Sequence, residues 1–227
     1  MLFFLGGLLM GNPNLPSYLY SRVTSWLKNE SDTSSSHRPP PSPKTAADYL
    51  ELTRYDVRLL PPNQRAIALT LADAIGNAAA VQDRLTALEE NVRNDLPTLK
   101  SASALSAYAK MKPEAAKLLG AANQQKVFFE SLETKLTAQF ERSGLHEELA
   151  KQVASLFYQG TPGQKAVDQA IKSEKLAAEL VAIANLLAET PNKWDVSSDG
   201  TVHSPDKKLD EEYRAHHDAL VSVISNQ

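Results

Sequence analysis

Apolar positions along this chain recur at helical spacing over most of its length. Between Pro62 and about Asn94, Ala78, Val81, Leu85, Leu88 and Val92 step by 3, 4, 3 and 4. That stepping places them on one stripe of a long amphipathic helix, in the a and d positions of a seam facing other helices. Pro61-Pro62 opens this helix, with proline tolerated in a first turn, and Pro97 ends it. Phe128, Leu132, Leu136 and Phe140 step by four and predict a second long helix from Asn123 to Arg142, closed by Gly144. A shorter helical piece precedes it, from Ser103 to Leu119, interrupted at Pro113.

The same reading extends to both ends of the helical region. Thr45 is placed to cap a helix through Ala46, Tyr49, Leu50 and Leu52. His146 to Tyr158 forms another helix, ending at Gly160. Thr161-Pro162-Gly163-Gln164 has the form of a capping box with proline at the first helical position. It starts a helix whose seam is Leu176, Leu180, Ile183 and Leu187, and Pro191 closes it. Ser204-Pro205 caps a last helix with Leu209, Tyr213, Leu220 and Ile224 facing inward. Strand-like sequence is confined to Trp194–Val202, where Asp199-Gly200 is a preferred hairpin turn. Helices joined by short loops pack side by side. The expected fold is therefore all-α, an antiparallel helical bundle with a hairpin-like turn before its C-terminal helix.

The first 44 residues follow a different pattern. Met1 to Met10 carries no charge and is mostly Leu and Phe. This is shorter than the roughly 20 apolar residues that span a bilayer. It has the length of a signal-peptide apolar region but lacks the basic residues before it and an A-x-A site after it. Tyr18, Tyr20, Val23, Trp26 and Leu27 follow, with Arg22 and Lys28 among them. Apolar bodies with polar tips beside cations suit a membrane–water interface. A short helix docked on the protein's own core is the alternative. Residues 29–44 then turn polar, and the stretch from Glu30 to Lys44 holds five Ser and four Pro with no aliphatic or aromatic side chain. Such a segment buries too little to offset its ordering entropy, and Pro39–Pro41 favours an extended spacer. A ligand for an SH3-like domain is the less favoured reading of the same prolines. The expected organisation is thus residues 1–28 as an anchor or signal-like segment, 29–44 as a linker, and 45–227 as the bundle domain.

Composition narrows the function classes. Of 227 residues, 42% are hydrophobic and 22% charged, which suits a globular chain. A chain of this size buries roughly 70% of its unfolded surface and needs no metal or disulfide to fold. The net charge is −3, and no basic stripe is interleaved with aromatics, so nucleic acid is not an expected partner. The absence of cysteine excludes disulfides, thiolate nucleophiles and cysteine-ligated zinc.

One loop carries a chemical pattern. In DVSSDGTVHSPD, residues 195–206, Asp195, Ser197 and Asp199 occupy positions 1, 3 and 5 of an EF-hand-like calcium loop. Gly200 is at position 6, Thr201 offers a carbonyl at position 7, and Asp206 falls at position 12. Asp in place of Glu at position 12, Pro191 before the loop and the lack of a second such loop favour a plain hairpin. Among the five histidines, His216 follows Glu212 by four residues on one helix face, a spacing that would suit half of a metal site, but solvated or core-edge histidines are the favoured reading. The paired Glu-x-x-His motifs of a di-iron bundle are missing. So are the G-x-S-x-G elbow, the phosphate-cradling Gly loop and H-E-x-x-H. The acidic residues sit beside Lys and Arg, as in Glu174-Lys175 and Glu211-Glu212-Arg214, on faces expected to meet solvent. No catalytic or cofactor-binding residue is assigned, and no cofactor is expected.

The arrangement resembles small bacterial envelope lipoproteins of a domain-of-unknown-function family. The residues carrying the resemblance are Leu186–Leu187, Trp194, Val196, Asp199-Gly200, Val202, Leu209 and Leu220. It implies a location at the membrane, periplasm or cell envelope rather than an activity, and the cysteine that would carry a lipid is absent. The expected function is that of a non-enzymatic helical interaction or structural protein. It would meet a protein partner or a second copy through its amphipathic helices and a membrane through residues 1–28. The alternatives are a calcium-responsive module built on 195–206, an enzyme with a carboxylate site inside the bundle, and a cytoplasmic location.

Overall fold

Thr45 supplies the first cap that the sequence promises. Its side chain accepts the Asp48 N–H, and the Asp48 carboxylate accepts the Thr45 N–H, starting helix α1 (Ala46–Glu51). This computed structural model describes residues 42–95, 103–198 and 201–225. The segment 1–28, most of the 29–44 linker, Pro97, Asp199 and Gly200 lie outside the described residues. Two short 3-10 turns follow α1, Leu52–Arg54 and Val57–Leu59. Then come α2 (Pro62–Asp95), α3 (Ser103–Arg142), α4 (Glu147–Gln159) and α5 (Gly163–Glu189). A two-stranded antiparallel ribbon, β1 (Asp195–Val196) with β2 (Val202–His203), precedes α6 (Lys207–Ser225). The fold is an all-α helical bundle, as its hydrophobic periodicity predicts.

The chain divides into two compact units, each discontinuous in sequence. The first takes its described residues from Met1–Ala80 and Val127–Ala166, the second from Val81–Lys126 and Val167–Gln227. In the first unit α1 packs on α4. Its core holds Leu52, Ile67, Leu71, Phe129, Phe140, Val153 and Phe157. The second unit buries Leu85 and Val92 of α2 with Tyr108, Ala115 and Leu118 of α3. Against these lie Leu176, Leu180 and Ile183 of α5, then Trp194, Val202, Tyr213 and Leu220. All four expected seam residues of α5 and both Tyr213 and Leu220 of α6 are therefore buried. Leu209 is half-buried, and the side chain of Ile224 is outside the described set.

Several local expectations need correction. The pieces expected at Ser103–Leu119 and Asn123–Arg142 are one 40-residue helix that runs through Pro113. Pro113 is exposed, so the carbonyl it leaves without an N–H donor can be served by water. Tyr108 and Met111 before it and Ala115 and Leu118 after it bury into one core, which holds the helix continuous. In the same helix the inward aromatic is Phe129, at 1% exposure, rather than Phe128. Phe128 meets Phe129 edge-on with centroids 5.1 Å apart. At α5 the Thr161 hydroxyl accepts the Gly163 N–H at 3.2 Å, and the Pro162 carbonyl accepts the Lys165 N–H. The chain turns at Gly163 with φ +41°. The cap of α6 is Asp206, whose carboxylate accepts the Lys208 N–H at 3.1 Å. Ser204 instead shapes the approach, its hydroxyl accepting the Asp206 N–H.

Candidate functional site

The inward stripe of α2 in the second unit contains one acid. Glu89 stands four residues after Leu85 and three before Val92, both buried, so helical geometry sends it to the same side. It is only 8% exposed. Its donors come from α5. Ser173, fully buried, gives its hydroxyl to Glu89 Oε1 in a short contact, and Gln169 Nε2 donates to Glu89 Oε2 at 3.2 Å. The Ser173 hydroxyl also lies 2.9 Å from the Gln169 carbonyl, within its own helix. Both donors are neutral.

This carboxylate corrects the expectation that the acids face solvent. The missed signal is legible afterwards: position 89 falls on core spacing beside Leu88, and Ser173 interrupts the run Ala170, Leu176, Ala177. Gln64 and Gln125 are likewise polar residues on buried stripes, Gln64 in the first unit and Gln125 in the second.

A second cluster joins α5, the ribbon and α6. Trp194 donates its indole N–H to Thr190 Oγ1 at 2.9 Å, and Thr190 donates to the Leu186 carbonyl. The Trp194 ring lies 5.5 Å from Tyr213, which stacks on His217 at 5.7 Å. Burial raises the Tyr108 phenol well above its ordinary value, and Tyr213 facing it adds to the shift. Burial raises Tyr213 too, partly offset by Tyr108. The Tyr108 hydroxyl reaches no hydrogen-bond partner among the described residues. His216 pairs through Nδ1 with Glu179 Oε2 of α5 at 2.7 Å. His216 thus lies half-buried at the edge of the core, paired across helices, and Glu212 is exposed. Glu179 stands one residue before Leu180 at the edge of the buried stripe, where α6 can reach it.

The calcium-loop residues are placed as follows. Asp195 is exposed and pairs in the ribbon with His203, and Val196 pairs with Val202. The Ser197 N–H and hydroxyl both donate to the Thr201 carbonyl, at 2.9 and 3.0 Å. Asp206 caps α6 and lies 3.6 Å from Lys193 Nζ. The Thr201 carbonyl and the Asp206 carboxylate, two ligands the loop would need, are thus already engaged by protein groups. Among the described residues no three His, Asp or Glu side chains gather as a metal site. In comparison with known proteins, no protein-family model matches the chain, nor does any curated protein. No solved structure matches its fold.

Proposed function

We propose that this chain is a non-enzymatic helical interaction protein, held at a membrane or cell envelope through residues 1–28. The observation that carries the proposal is the N-terminal pattern. Ten uncharged, mostly Leu and Phe residues lead to Tyr18, Tyr20 and Trp26 among Arg22 and Lys28, before a Ser/Pro spacer. No helix among the described residues is long and apolar enough to cross a membrane, so the proposal assigns membrane contact to 1–28.

One feature of the helical region supports an interaction role. The exposed large apolar side chains concentrate in the first unit, at Leu59, Leu69, Val127 and Leu156, with Val221 in the second. Such side chains suit contact with a protein partner or a second copy.

The test is fractionation of cells expressing a C-terminally tagged full chain, with the recovered species weighed by mass spectrometry. Intact chain in the membrane fraction after a carbonate wash supports an anchor. A shortened species in a secreted or periplasmic fraction supports a signal segment and an envelope location. Intact chain in the cytosol overturns the proposal.

A further inference from the structure

We infer that the exposed face of α2 in the first unit is a contact between two copies of this chain, packed antiparallel about Leu69. The inference rests on the interaction reading above and gives it a partner. Pro62, Arg65, Leu69, Asp73, Gly76 and Ala80 are all exposed and follow one another at steps of three and four, so they share one side of the helix. Leu69 keeps 46% of its surface in water. Arg65 Nη2 donates to the carbonyls of Arg58 and Leu60, at 3.2 and 3.1 Å, which pins the turn carrying Leu59 against the start of α2. Leu59 is 56% exposed. The two exposed leucines thus come one on the turn that Arg65 pins and one a helical turn after it.

The order of charges on this face selects a second copy as the partner. Arg65 and Asp73 stand four residues before and four after Leu69. They lie about 12 Å apart along the axis, too far to pair within one copy, and neither has an ion-pair partner among the described residues. When two α2 helices run antiparallel with Leu69 on Leu69, Arg65 of each copy meets Asp73 of the other. The same two-fold axis sets Pro62 against Gly76 and the half-buried Ala66 against Ala72. Gly76 has open space where a Cβ would stand, so nothing bulky opposes the approach. A parallel pair would instead set Arg65 on Arg65 and Asp73 on Asp73. One helix face is smaller than the roughly 800 Å² per partner of a standard interface, so the pair is a weak one that two like-charge contacts undo.

The chain contains no cysteine, so Leu69→Cys in the full chain puts a lone thiol at the two-fold axis. A short bis-maleimide should link two such copies, and should link copies carrying Glu133→Cys, on the exposed surface of α3, far less. Adding Arg65→Asp, or separately Asp73→Arg, to Leu69→Cys brings like charges together twice and should lower the linked product roughly tenfold or more. Asp73→Arg leaves the Arg65 contacts to the Leu59 turn in place, so its effect does not come from loosening that turn. Mixed in equal amounts, the two charge variants are complementary to each other. Their mixed dimer, distinguished by mass, should return to the level of Leu69→Cys alone. Failure of Leu69→Cys to link, undiminished linking of the charge variants, or no recovery on mixing them overturns the proposal. Membrane attachment is read by fractionation, so that reading and this one fail separately.

Discussion

Replacing Gly163 by Ala tests whether the start of α5 is built on backbone geometry. Alanine is the better helix former, so in an ordinary helical position this change stabilises by up to about 1 kcal/mol. Gly163 is not ordinary. Its φ is +41°, and a Cβ there would stand 3.2 Å from Tyr158 Cζ and 3.3 Å from Cε1. The left-handed conformation costs a residue with a Cβ roughly 1–2 kcal/mol. The contact adds less, because the Tyr158 ring is the far end of a half-buried side chain and can give way. For a chain of this size, 1 kcal/mol moves the melting temperature by roughly 2–4 °C. Gly163→Ala should therefore lower it by roughly 2–8 °C, and the loss should persist in a Tyr158→Ala background. Gly76 in α2 and Gly120 in α3 have open space where a Cβ would go and serve as controls that should gain stability. Thermal melts followed by circular dichroism decide the matter. An unchanged or raised melting temperature for Gly163→Ala refutes the reasoning.

Three further outcomes follow from the same geometry. Tyr108→Phe removes a buried hydroxyl without a partner, so it should be neutral or stabilise by about 1 kcal/mol in urea titrations; a clear loss would contradict this. Both Tyr108 and Tyr213 have raised phenol pKa values in the fold. The stability this contributes is complete below the ordinary value of 10.0 and declines as pH climbs beyond it, with Tyr108→Phe flattening the decline. Pro113→Ala restores a backbone donor in the middle of α3 and should stabilise by up to about 3 kcal/mol; a lower melting temperature would mean that the helix needs its proline there. Millimolar calcium should leave the melting temperature unchanged, since Thr201 and Asp206 are engaged within the hairpin and α6 cap. A rise that Asp195→Ala abolishes would instead establish the loop as a calcium site.

The fold was largely legible in the sequence because its signals are local and repeated. Helix starts at Thr45 and Pro62 and stops at Gly144, Gly160 and Pro191 stand where capping chemistry puts them. The α5 seam was legible because four consecutive inward residues are large and aliphatic. Pro113 misled the reading because the cost of one proline is local, whereas the burial that outweighs it comes from residues on both sides. Phe128 misled it because a strict step of four drifts around the helix, and Phe129 lies nearer the stripe. The polar cluster was hidden for a different reason. Periodicity identifies apolar stripes, so an acid at position 89 beside Leu88 reads as the solvent edge of the stripe. Its partners stand 80 and 84 residues away on another helix, and only the folded chain brings them together. His216 and Glu179 are separated in the same way, by 37 residues.

The proposed attachment of this helical protein to membranes through residues 1–28 is tested most directly by flotation of the purified full chain with lipid vesicles. The full chain should rise with the vesicles and stay with them in high salt, because the proposed contact is chiefly apolar. The variant Leu5→Asp/Leu8→Asp/Trp26→Ser, with the helical region untouched, should remain at the bottom of the gradient. A full chain that fails to float, or a variant that floats equally well, would contradict the account.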